Sequence, residues 1–247
     1  MRNSFFTIIL LLVTTCIHAQ DADYSIFGIK AGSTIGFQTW NNIDQDALFA
    51  YNAGIFAESL DGKDSRSSLY AGLSYSQKGS AKRNVQLFNS NGSGSLFGGT
   101  FTRKYIFHNA ILNVGAKTRL EKRSNGLTPY YSVGVFGSYT LSTNLGEQQN
   151  NVFLFDPIDD NVRKINYGLQ IGGGFEKQLS EYIGIHLDIS VFPELSNQYV
   201  EQYGSNPPFI INPYSGQQIT LRDRNIKNLA FEITLGIRFL REIIYVD

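Results

Sequence analysis

The chain has 247 residues, with 21 basic and 21 acidic side chains, 13% aromatic residues, 24 Gly and one Cys. Zero net charge with plentiful aromatic and β-branched residues excludes a disordered chain, and a single Cys excludes a disulfide scaffold. No basic excess exists to neutralise phosphates, which excludes the electrostatic footprint of a nucleic-acid binder.

The chain opens MRNSFFTIILLLVTTCIHAQ. Arg2 makes the start positive, Phe5 to Val13 is apolar, and Ala19 is a small residue before a cut at Gln20. This is the pattern of a secretory signal peptide, so residues 1–19 are expected to be removed and 20–247 to form the mature domain. Cleavage takes away Arg2 and Cys16, leaving 20 basic against 21 acidic groups and no thiol. A lipoprotein reading, with Cys16 acylated, is weaker, because Thr15 stands where a smaller residue is usual. After Gln20 no apolar stretch reaches the ~20 residues of a spanning helix. A membrane-embedded chain must then be a closed β-barrel, the other arrangement that satisfies its backbone in lipid.

In chain order the dominant period is two, which predicts strands. Over 27–37, Phe27, Ile29, Ala31, Ile35 and Phe37 alternate with Gly28, Lys30, Gly32, Thr34 and Gly36. The same pattern covers 49–57, with Phe56 as an exception, then 69–77, 110–120, 131–141, 167–175 and 183–191. In the last segment, 229–239, Leu229, Phe231, Ile233, Leu235, Ile237 and Phe239 share one parity. No helix places these six on one face, whereas a strand does so automatically. That makes eight strands. Short connections at 61–64, at 122–128 with Asn125-Gly126, and at Ser180-Glu181 alternate with longer ones at about 83–103, 144–164 and 194–225. One end with tight turns and one with loops is the mark of an outer-membrane barrel.

A soluble lipocalin-like barrel also alternates, but with its apolar face inward. Three features favour the inverted arrangement. The polar face is small, with Gly on nearly every strand, as a narrow interior needs. Tyr131 and Tyr139, Tyr167 and Phe175, and Phe231 and Phe239 lie eight residues apart on the apolar face. That spans roughly 20 Å along the axis, close to the ~25 Å between aromatic girdles. The polar face carries Lys30, Lys78, Lys117, Arg119 and Arg238 against Glu58, Glu176, Asp188 and Glu232, a near balance that suits an interior ion-pair network.

FGIKAGSTIGF (27–37), LYAGLSYSQKGS (69–80), PYYSVGVFGSYTLS (129–142), YGLQIGGGFEKQLSEYIGIHLDIS (167–190) and NLAFEITLGIRF (228–239) resemble the PorT-type outer-membrane β-barrel family of Gram-negative bacteria. The resemblance covers almost the whole mature chain. It implies an eight-stranded outer-membrane barrel without assigned activity, some members being linked to protein secretion. One departure stands out: such barrels often end on an aromatic residue, whereas here Leu240 to Asp247 follow Phe239.

The chain shows no HExxH, CxxC pair, P-loop or nucleophile elbow. Gly172-Gly173-Gly174 falls inside a strand, with no helix start to cradle a phosphate. His186 lies near Asp188 and Ser190, but four residues along a strand is about 13 Å, too far for a nucleophile and its base. His108 reads as proximal to a loop. Asp156, Asp159, Asp160 and Asn161 could hold Ca²⁺, yet lack the spacing and closing Glu of a calcium loop. No catalytic, cofactor-binding or metal residue is therefore assigned.

The expectation is an all-β, eight-stranded antiparallel up-and-down transmembrane barrel in the cell outer membrane. Its polar lumen is plugged, it is monomeric, and it plays a structural or surface-interaction role through long extracellular loops. Its partners are outer-membrane lipids and extracellular or periplasmic proteins, with no nucleic acid. The alternatives are an outer-membrane lipid-modifying enzyme and a soluble periplasmic ligand-binding barrel.

Overall fold

Strands that alternate in and out satisfy their backbones only if each edge finds a partner, and closing the sheet on itself removes the last two edges. The computed structural model describes residues 24–40, 45–60, 62, 65–89, 96–124, 126–148, 159–203, 207, 209–211, 218–220 and 223–242. The expected leader, residues 1–19, lies outside them. In chain order the strands are β1 (Tyr24–Trp40), β2 (Asp46–Leu60), β3 (Ser67–Asn89), β4 (Leu96–Arg119), β5 (Leu127–Thr143), β6 (Ile165–Gln178), β7 (Ile183–Pro193), β8 (Tyr199–Glu201), β9 (Phe209–Ile211), β10 (Gln218–Thr220) and β11 (Arg224–Glu242).

The long strands β1 to β7 and β11 form an eight-stranded antiparallel up-and-down barrel, each paired with its chain neighbour. β1 closes the ring on β11, from Tyr24↔Glu242 to Trp40↔Ile226. β8 continues the wall above β7, pairing with β11 from Arg224↔Glu201 to Ile226↔Tyr199. β9 and β10 form a separate small hairpin. All eight expected strands are present, each longer than its alternating stretch.

Alternation sorts the faces as expected. None of the apolar residues it groups is buried, and several are widely open, such as Phe49 at 75%, Tyr167 at 59% and Leu235 at 67%. All six girdle aromatics, from Tyr131 to Phe239, are exposed. Inward positions hold the buried polar set, including Thr34, Asn52, Glu58, Lys78, Lys117 and Glu176. Phe56, out of pattern in sequence, points inward against His186, with ring centroids 4.9 Å apart.

The connections at one end are tight. In the β4–β5 turn the Gly126 N–H donates to the Arg123 carbonyl at 2.9 Å. Gly126 has φ +79°, a left-handed conformation that Gly adopts without strain. Between β6 and β7, the Leu179 and Ser180 N–H groups both donate to the Ile183 carbonyl, at 2.9 and 3.0 Å.

At the other end the expected loop over 83–103 is a correction. β3 and β4 pair without interruption from Ser67↔Thr118 to Asn89↔Leu96, so most of that stretch is a two-stranded ribbon rising above the rim. Asn, Ser and Gly concentrate at 89–95, whereas the paired arms carry Val85, Leu87, Phe88, Phe97, Thr100 and Phe101, residue types that suit a strand. β2 stops pairing with β3 at Asp46↔Ala81, and β5 stops pairing with β4 at Phe107↔Thr143. Side chains finish both seams. The Arg83 N–H donates to Asp46 Oδ2 at 3.3 Å, and the Ile106 N–H to Asn144 Oδ1 at 2.8 Å. The expected loop over 144–164 begins with a helical turn, Leu145–Gln148, and contains a 3₁₀ turn, Asp159–Asn161.

Candidate functional site

The interior of an eight-stranded barrel is just wide enough for side chains. Its chemistry is therefore set by which inward residues the stagger of the strands brings level. At the turn end, Glu58 of β2, Lys117 and Arg119 of β4, Glu176 of β6 and Arg238 of β11 meet. Lys117 Nζ donates to Glu58 Oε1 at 2.7 Å and also to Glu176. Arg119 donates to Glu58 and, through Nε, to Glu176 Oε2 at 2.9 Å. Arg238 Nη1 donates to Glu176 Oε2 at 2.5 Å. Ser68 links two members, accepting from Arg119 Nη1 at 3.1 Å and donating to Glu58 Oε2 at 3.3 Å. Three cations thus share two carboxylates almost out of water. Desolvation of such a group is offset only when its lone pairs and protons are nearly all engaged.

One level up, Asp188 Oδ2 lies 3.5 Å from Lys30 Nζ and accepts from Ser190 Oγ at 2.8 Å, while Tyr130 Oη donates to Oδ1 at 3.0 Å. His186 Nδ1 has no partner among the described residues. A cavity of about 40 Å³ remains here, lined by Lys30, Phe56, Tyr70, Tyr130, His186 and Asp188 among others. That is room for two or three waters at most. The wall glycines make space for the large inward groups: a Cβ on Gly115 or Gly134 would stand 2.8 or 2.7 Å from Tyr70 Oη.

At mid-height Glu232 Oε1 accepts from Ser76 Oγ at 2.7 Å, and Asn113 Nδ2 donates to Gln170 Oε1 at 2.6 Å. Higher still, Lys78 Nζ donates to Glu194 Oε1 at 3.0 Å and sits 4.4 Å above the Phe136 ring. Asn228 Nδ2 donates to Glu194 Oε2 at 2.9 Å, and Gln38 Nε2 to Asn228 Oδ1 at 2.8 Å. Ile111, Phe136, Phe192 and Ala230 pack together in this part of the lumen. The loop end is closed by a buried apolar cluster of Trp40, Tyr105, Phe107, Leu145, Tyr199 and Ile226. Above the wall, Tyr203 Oη donates to Glu201 Oε1 at 2.7 Å, and burial together with that carboxylate raises its phenol above the ordinary range.

The expected lumen charges are all inside and in contact with polar groups of other strands. Glu194 joins them, although its position at the start of an expected loop hid it. His186 and Ser190 are not brought together, since Ser190 donates to Asp188 and His186 packs on Phe56. His108 is on the barrel wall, not beside a loop. It faces outward, with Nδ1 2.5 Å from Tyr75 Oη. Of the acidic loop set, Asp156 lies outside the described residues. Asp159 accepts from Thr143 Oγ1, and Asn161 Nδ2 donates to Tyr199 Oη at 3.4 Å. The fixed polar groups of the lumen fill space and hold strands together.

No family model matches the chain, and no curated protein matches it. Solved structures do resemble it. Neisserial surface protein A is 10% identical at a TM-score of 0.46, over 88% of this chain and 97% of that one. The outer membrane protein OprG from Pseudomonas aeruginosa is 11% identical at 0.45, over 89% and 97%. Ail, the attachment invasion locus protein of Yersinia pestis, is 8% identical at 0.39, over 88% and 99%. Likeness at this level carries no residue role from those proteins to this one.

Proposed function

We propose that the chain is an exported barrel of a Gram-negative outer membrane, of the PorT type, whose work is done outside a sealed lumen. The observation that carries this reading is the inversion of the barrel: large apolar side chains cover the exterior while ion pairs fill the interior. Monomeric soluble proteins rarely expose a contiguous apolar surface beyond a few hundred Å², and lipid is the solvent that makes an encircling one stable. The inversion weighs against a soluble periplasmic barrel. The leader expected at residues 1–19 would deliver the chain to the envelope.

The role we assign is structural or surface-interacting, without catalysis, carried by the β3/β4 ribbon and the segments at the same end. Its partners are outer-membrane lipids and proteins that reach that end. The PorT-type resemblance leaves a part in protein secretion open to the same surface. Membrane fractionation tests the reading. The protein should sediment with outer membranes, need detergent for release, and migrate differently in gels when unheated. Recovery in the soluble periplasmic fraction would overturn it.

A further inference from the structure

The outward face of β3 and β4 changes character as it climbs. Its cross-strand pairs run from Leu73↔Leu112 through Tyr75↔Ala110, Gln77↔His108 and Gly79↔Ile106 to Ala81↔Lys104 and Arg83↔Thr102. The lowest of these pairs is apolar. Next comes a linked polar-aromatic group. Tyr75 Oη lies 2.5 Å from His108 Nδ1, Gln77 Nε2 donates to Tyr75 Oη at 3.2 Å, and the Tyr51 ring centroid is 5.8 Å from that of Tyr75. Rings with one apolar and one wet end belong at the boundary between hydrocarbon and headgroups.

Above that boundary stand two exposed cations, Lys104 and Arg83. Lys104 is four residues from His108, roughly 13 Å along the strand. Arg83 and Lys104 are diagonal neighbours across the ribbon, about 7–8 Å apart at the backbone. An arginine fork and a flexible ammonium can close on one phosphate across that gap. Lys82 and Arg103 pair directly on the opposite face, so four cations fall within three successive pairs. Asp46, in register with Ala81, holds the Arg83 backbone N–H and fixes the base of the ribbon.

We propose that this face binds the phosphorylated headgroup of an outer-leaflet glycolipid. The phosphate lies between Arg83 and Lys104, and the sugar packs against Tyr75, Gln77 and His108. The site rests on the membrane reading above and gives that reading a lipid partner. It also assigns a use to the ribbon, whose wall-side base rises where such headgroups stand. Attraction here is largely ionic, so it weakens as salt rises.

The test is native mass spectrometry of the full mature chain, folded in detergent micelles and exposed to lipid A carrying both phosphates or to its dephosphorylated form. The wild type should retain the phosphorylated lipid at least about tenfold better. The Arg83→Gln/Lys104→Gln double variant should lose that preference, while Arg66→Gln/Lys122→Gln, at the turn end, should keep it. Inorganic phosphate alone should not compete, because the sugar and acyl contacts are missing. Competition by free phosphate would instead show a simple anion site and overturn the lipid assignment. Equal retention of both lipids by the wild type, or an unchanged preference in the double variant, would also overturn it. If the double variant fails to show the unheated gel shift of a folded barrel, wild-type retention at about 50 and 500 mM salt decides, and a salt-insensitive preference refutes the site. Failure of the wild type to enter bilayers would remove the membrane reading itself, whereas insertion without lipid preference removes only this proposal.

Discussion

Leu235→Arg separates lipid from water around the barrel. Leu235 is 67% exposed on β11, in register with Ala31 of β1 and Leu187 of β7. It lies midway between the exposed rings of Phe231 and Phe239, which places it near the centre of an apolar belt. An arginine on the lipid face at mid-depth costs about 2–4 kcal/mol, equivalent to roughly 30- to 1000-fold in the folding equilibrium. On an exterior bathed in water the same substitution at so open a site would change stability by no more than about 0.5 kcal/mol. The measurement is urea-driven unfolding of the purified mature chain in phospholipid vesicles. It can be followed by the fluorescence of Trp40, the single tryptophan, which is buried at the loop end, and by the gel shift of the unheated barrel. A Leu235→Arg chain as stable in vesicles as the wild type would refute the orientation of the wall.

Three further outcomes follow from the lumen. Glu176→Gln leaves Lys117, Arg119 and Arg238 around one remaining carboxylate, and breaking a buried ion pair in this way should cost about 3–5 kcal/mol in the same unfolding assay; a loss below about 0.5 kcal/mol would show that the cluster is solvated. Planar bilayers holding the wild type should show no steady porin-sized conductance, because the interior is filled, and large stable openings would contradict the closed loop-end cluster. A fluorophore on Leu235→Cys should be reached by a lipid-soluble quencher and not by a water-soluble one, while a label on Thr234→Cys, whose native side chain is 1% exposed, should be shielded from the lipid-soluble one. The reverse pattern would invert the two faces.

Face assignment was legible because a period of two is a local property. Leu229 to Phe239 declare their side without reference to any other strand. Residues that break the local rule were not legible. Phe56, Ile111 and Phe192 face inward, and their contacts explain why: Phe56 meets His186 edge-on, and Ile111 and Phe192 pack with Phe136 and Ala230 beneath Lys78. The ion-pair cluster was visible only as a list of charges. Glu58, Lys117, Glu176 and Arg238 come from four strands, and what makes them touch is the stagger of the closed barrel, which no strand carries alone. The stretch 83–103 read as loop for a related reason. The Asn, Ser and Gly at 89–95 hid the strand-forming residues on either side, and the pairing of β3 with β4 is a property of neither arm alone. Glu194 was missed because a proline, Pro193, marked the end of its strand.

The seam between β1 and β11 has a consequence for how the molecule comes into being. It joins Tyr24 to Glu242, the two ends of the described chain, and Phe239 pairs with Phe27 three residues before the seam finishes. Leu240, Arg241 and Glu242 complete the join against Ile26, Ser25 and Tyr24. No earlier set of strands can be stable as a ring. Until β11 pairs, β1 and the strand last added each present an open edge able to capture another chain. Contacts so remote in sequence also form slowly. A copy without β11, Arg224–Glu242, therefore has no closed barrel to reach and keeps two sticky edges, however sound the other seven strands.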